Sequence, residues 1–417
     1  MTNGLHAATR RQFLLGSGTL FAWAYLPKQA LAEGRDPRLL VIILRGALDG
    51  LAAVAPVGDP EWTKLRQDKA LTLEGKTPGL PLDKMFALNP AMPNLHRLYQ
   101  AGAATIVHAA ATAYRERSHF DGQDVLESGL ARPGAVSTGW LNRALATLEP
   151  AGSANPKERS AFAVGPIAPL VVRGPAPVLS WTPPRLPPAS DDTIMRLLDL
   201  YRHTDPALAR VLEERLGLAA IARAGGMDGQ GGQNGQGQPR PPAAQVRAFF
   251  SESAGTAAKF LARPDGPRVG ALAFDGWDTH ANEGALDGRL SALLGALDGA
   301  IAAIETNMGG AWRETVVAVI TEFGRTAKIN GTEGTDHGTG TVAFLAGGAL
   351  KGGRVLADWP GLKESDLHEK RDLKPTTDLR AVLKGLLRDH LRVDDSALAA
   401  KVFPESSAVK PLSGLLA

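Results

Sequence analysis

Leu39-Leu40-Val41-Ile42-Ile43-Leu44, closed by Arg45-Gly46, is the stretch on which the fold turns. A run of branched apolar residues without a polar partner has no wet side, so it predicts a strand covered on both faces in the middle of a parallel sheet. Similar runs recur at 104–110, 269–274, 315–321 and 341–345. Helical patterns lie between them: over 289–304, Leu290, Leu293, Leu294, Leu297, Ile301 and Ile304 fall on one face. Strands alternating with helices predict an α/β fold, a doubly wound, mostly parallel sheet sandwiched by helices, with ligands gathered at the carboxyl ends of its strands.

Ahead of this run the chain reads as an export address. Thr9-Arg10-Arg11-Gln12-Phe13-Leu14 pairs two arginines with a modestly apolar run, 13–26, that is shorter than the roughly 20 residues a bilayer requires. Ala30-Leu31-Ala32 follows as a cleavage signature, so a twin-arginine signal over 1–32 and a mature chain from Glu33 are expected, delivered to the periplasm or beyond by the twin-arginine export machinery. Residues 1–32 carry Arg10, Arg11 and Lys28 and no acid, so the mature chain has 43 basic against 43 acidic residues. Without a basic excess, nucleic acid is not an expected partner. The chain has no cysteine, which excludes disulfides, thiolate metal sites and cysteine nucleophiles and leaves His, Asp and Glu as metal ligands.

Residues 33–417 suffice for one large domain. Within it, 224–242 is rich in Gly, Gln and Pro and reads as a disordered loop between two helical segments, the whole forming a helical insertion over 190–262.

The polar clusters fall at strand ends. Asp49, in Arg45-Gly46-Ala47-Leu48-Asp49-Gly50, is either a metal ligand or an ordinary Asp-Gly turn. Ser118 opens a helix in Arg117-Ser118-His119-Phe120-Asp121, as a nucleophile or anion contact with Arg115 or Arg117 as clamp, or as the first residue of a capping box with Asp121. His119, Asp121 and Asp124 do not share one helical face. Asp278 and His280, two residues apart in extended chain, point the same way and suit a borderline metal such as zinc or manganese better than calcium. Glu322 and Arg325, in Thr321-Glu322-Phe323-Gly324-Arg325, are site candidates or each other's partners. Asp336-His337, flanked by glycines before a buried strand, has little structural work there. His96, His203, His368 and His390 read as surface residues.

These motifs, with Gly276-Trp277-Asp278-Thr279-His280, Gly334-Thr335-Asp336-His337-Gly338, Gly352-Gly353-Arg354-Val355 and Asp358-Trp359-Pro360-Gly361-Leu362, span most of the mature chain. Together they resemble the bacterial DUF1501 family, commonly exported by the twin-arginine route and similar in fold to the alkaline phosphatase and sulfatase superfamily. The resemblance implies an Asp after the first strand, a hydroxyl at a helix start, and later Asp and His groups holding one or two divalent metals. Asp49, Ser118, Asp278, His280, Asp336 and His337 occur in that order. The superfamily's Thr-x-Asp-His is Thr321-Glu322-Phe323-Gly324 here, and its Asp-x-x-x-His is shortened to Asp278-Thr279-His280, so His119 or Glu322 is expected to fill in. The implied activity is metal-dependent hydrolysis of phosphate or sulfate esters, small or on glycans. The alternative is a metal-free binding protein for a cell-envelope partner or glycan.

Overall fold

The computed structural model describes residues 21–24, 35–148, 161–164, 169–180, 191–210 and 243–417, less positions 135, 177, 207 and 265. The Gly/Gln-rich stretch 224–242, the paired arginines and the Ala30-Leu31-Ala32 site lie outside the described residues. Within them the chain forms a mixed α/β structure around a 10-stranded, mostly parallel sheet. Its strands are β1 (Phe21–Ala24), β2 (Arg38–Arg45), β3 (Ala104–Ala111), β4 (Ala161–Val164), β5 (Val178–Ser180), β6 (Val269–Asp275), β7 (Thr315–Thr321), β8 (Thr341–Ala346), β9 (Arg354–Leu356) and β10 (Thr377–Asp378). Spatially they run β9-β3-β8-β7-β2-β6-β1-β4-β5, with β10 alongside β3.

β2 lies at the centre, parallel to both β7 and β6, and all eight of its residues are buried. Its side chains divide by the two-residue period of a strand. Leu40, Ile42 and Leu44 join one core cluster, and Leu39, Val41 and Ile43 the cluster on the opposite face. Complete burial of each such side chain is worth about 1.5–3 kcal/mol. The first face is covered by helices α1 (Pro93–Gln100), α4 (Ala243–Ala262) and α5 (Arg289–Met308), the second by α3 (Trp140–Thr147) and α6 (Leu379–Leu391).

Two departures from the sequence reading have physical causes. β8 is antiparallel to both β7 and β3. A parallel neighbour requires a crossover, usually a helix. The chain between β7 and β8 contains none, and it folds back through an antiparallel bridge of Arg325 with His337. The beginning of β8 therefore stands beside the carboxyl end of β7, which brings Asp336 and His337 to the ligand-gathering edge. Secondly, α4, within the expected insertion, contributes to the core: Phe250, Ala254, Ala257, Ala258 and Leu261 enter it, and the Phe250 ring stacks on Phe274 with centroids 3.8 Å apart. Phe21–Ala24, within the expected signal, pairs antiparallel with both β6 and β4, so cleavage after Ala32 would remove a strand from between them.

Candidate metal centre

The carboxyl ends of β2, β6 and β7 are drawn together by close backbone approach. At Gly46 (φ 117°) a Cβ would lie 2.4 Å from Asp278 N, and at Gly334 it would lie 2.3 Å from His280 O. Both positions must be glycine for the strand-end loops to meet. Left-handed backbone also gathers here, at Ala47, Arg117, Asn282, Glu333, Glu369 and Lys370. Side chains disfavour that region, and such strain concentrates where a fold holds functional groups in place.

Three imidazoles converge on Asp278 Oδ1. Their Nε2 atoms stand 3.5 Å (His119), 3.0 Å (His280) and 3.5 Å (His337) from it, and the His280 and His337 Nε2 atoms are 2.9 Å apart. His119, Asp278 and His337 form a group that could hold a metal ion, their ligand atoms lying within 4.8 Å of one another. Each ring is turned from behind. His119 Nδ1 is 2.9 Å from Glu322 Oε1, His337 Nδ1 is 2.8 Å from the Arg117 carbonyl, and His280 Nδ1 is 3.3 Å from Asp336 Oδ1. Those partners are acceptors that can each take an Nδ1 proton, and with Nδ1 so engaged the three Nε2 atoms are the ones that face the carboxylate.

Lone pairs crowded on a carboxylate repel unless a cation lies among them. His119 Nε2 is buried and has no hydrogen-bond partner. In the metal-free protein, burial disfavours charging the His119 ring, but its interactions with Asp278 and Glu322 outweigh burial and raise it to about 9. Burial likewise works to raise Asp278, yet the three histidines and Arg325 hold it far below the usual carboxylate range. A site that binds a proton so tightly has the donor set for a borderline divalent metal. The residues present fit such an ion.

The structure assigns the remaining candidates to supporting positions. Glu322 is not among the ligating atoms: it is fully buried, and its Oε1 accepts from Gly46 N at 2.8 Å, Gln123 Nε2 at 3.1 Å and His119 Nδ1. It orients His119, as carboxylates do behind metal-ligating histidines. Glu322 and Arg325 do not pair with each other, because Arg325 Nη1 donates to Asp278 Oδ1 at 2.8 Å and its Nη2 to Thr335 O at 2.7 Å. Buried there, Arg325 is bonded to the Asp278 carboxylate. Asp336 stands behind His280 and is also held by Asn330 Nδ2 at 3.0 Å.

Asp49 is not brought into this cluster. Arg66 Nη1 donates to Asp49 Oδ2 at 2.6 Å, Arg66 Nη2 to Oδ1 at 3.1 Å, and Ala52 N to Oδ1 at 3.1 Å. Both oxygens are taken by a guanidinium and a helix cap, so the second metal implied by the family resemblance has no ligand in Asp49. Buried Glu283 lies near, its carboxyl raised by burial and by the Asp49 charge. Ser118 is the residue before helix α2 (His119–Ser128), and its hydroxyl makes no cap bond, so the capping-box reading fails. Arg117 pairs with Asp372 and with the exposed Glu369. His390, expected at the surface, is buried with Nε2 3.0 Å from Arg38 O. No sequence signal marks Arg66, whose short helix reads as ordinary surface.

No curated protein matches the chain. A solved structure described as "Crystal structure of Ps i-CgsB in complex with k-i-k-neocarrahexaose" aligns at 10 % identity over 90 % of this chain and 78 % of that one, with a TM-score of 0.42, a likeness too distant to bear on fold or function. The model of a protein family of unknown function, DUF1501, matches residues 36–403, and the chain belongs to that family.

Proposed function

We propose that the protein is an exported, metal-dependent hydrolase of phosphate or sulfate esters with an alkaline phosphatase-like arrangement, its metal held by His119, His337 and Asp278 with His280 beside them. The observation that supports this reading best is the turning of each Nδ1 by an acceptor behind it, which leaves three Nε2 atoms aimed at one carboxylate oxygen.

The metal, when bound, would supply Lewis-acid polarisation of an ester oxygen. The chain does the rest. Asp278, His280 and Asp336 keep partly exposed side chains, so a substrate has access. Glu322, the Arg117 carbonyl and Asp336 fix the rings, and Arg325 fixes Asp278. Ser118, at the start of α2 next to His119 in the chain, is the proposed oxygen nucleophile, at a helix end that favours anions. Export rests on the Arg10-Arg11 motif. Among the described residues, no helix is long and apolar enough to cross a membrane.

The test is elemental analysis of protein purified without added metal or chelator, followed by a screen of phosphate and sulfate esters. Near-stoichiometric zinc, manganese or iron with turnover that disappears in His119→Ala/His337→Ala supports the proposal. A folded protein that neither holds nor takes up metal sinks it and favours a binding role in the cell envelope.

A further inference from the structure

Two arginines contact His337, Arg117 through its carbonyl and Arg371 through its guanidinium, and one buried carboxylate ties their side chains together. Asp372 Oδ2 accepts from Arg117 Nε at 2.8 Å, and its Oδ1 from Arg371 Nε at 2.8 Å. The Arg117 carbonyl receives the His337 Nδ1 proton, while Arg371 donates to the His337 carbonyl. Both arginines are therefore anchored to the same ligand histidine from either side. Neither Nη1 makes a hydrogen bond among the described residues, so each fork retains donors.

The backbone here is held in costly conformations. Arg117 (φ 60°), Glu369 (φ 51°) and Lys370 (φ 58°) are all left-handed without being glycine. Glu369 and Lys370 form the turn that closes the antiparallel bridge of His368 with Asp372, and Arg117 is the left-handed residue outside that turn.

Glu369 completes the arrangement. Its carboxylate accepts from Arg117 Nη2, yet its side chain is 61 % exposed, whereas Asp372 is 0 % exposed. An exposed carboxylate on an arginine adds little stability and can swing into solvent. Asp372 is the brace, and Glu369 occupies the kind of position an external oxyanion would take.

We propose that Arg117 and Arg371, braced by Asp372, form a binding site for a sulfate or phosphate group beside the histidine cluster, with Glu369 as its internal, displaceable occupant. Planar forks suit oxyanions of this shape. As part of a substrate site this rests on the ester-hydrolase reading; as an anion site it does not.

The experiment is calorimetric titration of inorganic sulfate and inorganic phosphate, at constant ionic strength, into the full-length protein and its Glu369→Ala and Arg371→Ala variants, with metal content measured for each. Removing the exposed Glu369 should tighten both anions several-fold, and Arg371→Ala should weaken them about tenfold or more at unchanged metal content. Arg371→Lys should recover only part of that loss. Unchanged affinity in both alanine variants overturns the proposal. So does anion binding that disappears only in His119→Ala/His337→Ala, which would place the anion on the metal. If the protein holds no metal and cleaves no ester but Glu369→Ala still tightens sulfate, the anion site stands and the hydrolase reading falls.

Discussion

Asp49 and Asp278 follow β2 and β6, neighbouring parallel strands, and both read in the sequence as metal ligands. The side chain of Asp49 is 1 % exposed and gripped through both oxygens by Arg66, which also donates Nε to Ala327 O at 2.7 Å and Nη2 to Thr326 O at 3.1 Å. That of Asp278 is 31 % exposed and faces three imidazoles. A guanidinium keeps its charge and offers no lone pair, so the carboxylate it holds is committed to structure. An imidazole can give up its proton, so the carboxylate among imidazoles can exchange protons for a metal. What a strand-end carboxylate can do is thus set by the base opposite it.

The sharpest way to break this comparison is Arg66→Met. It leaves Asp49 buried without its counter-charge, and about 3–5 kcal/mol of stability should be lost, read from urea unfolding. Asp278→Asn keeps an amide oxygen within reach of buried Arg325, at a more exposed position, and should cost the metal-free protein less. Equal losses would erase the distinction. Metal content gives the complementary contrast: His119→Ala/His337→Ala should fall from about one ion per chain to trace, while Asp49→Asn should leave the content unchanged. A second ion in the wild type that Asp49→Asn removes would mean that Arg66 does not exclude metal.

The contrast also shows what the sequence makes legible. The central strand and its relatives could be read because burial on both faces leaves an unbroken apolar run, and Asp278, His280, Asp336 and His337 because polar residues beside glycine at strand ends have little packing role. The antiparallel direction of β8 depends on the absence of a crossover helix, which an apolar run does not encode. The tasks of Glu322 and Arg66 depend on partners 203 and 17 residues away, and side-chain type alone cannot assign those. Glu322 could be recognised as a site residue, but not as standing behind His119. Asp49 caps Gly50–Ala53 and pairs with Arg66, a task that neither the metal-ligand nor the Asp-Gly turn reading contained.

Glu322→Gln tests that supporting position. The ligands stay, but His119 loses the carboxylate that turns it, so metal affinity should fall roughly 10- to 100-fold by competition with a chromophoric chelator. A loss as complete as that of His119→Ala would make Glu322 a ligand after all, and no loss would make its contact with His119 incidental.

The smallest effect is the most diagnostic of the proton that stands in for the metal. In the metal-free protein His119 is raised to about 9 from an ordinary value of 6.5, so the folded state holds its proton more tightly than the unfolded chain does. That contribution is complete below about pH 6.5 and is lost as pH climbs through about 9, an effect on the order of 2 kcal/mol with partial exposure allowed for. Metal must displace the same proton, so zinc or manganese affinity should rise across the window in which metal-free stability declines. Urea midpoints between pH 6 and 10, with and without metal, should therefore diverge, and His119→Gln should flatten both slopes. Parallel curves would show that the proton on His119 and the metal do not compete for one position, and Asp278 would then be as much a structural carboxylate as Asp49.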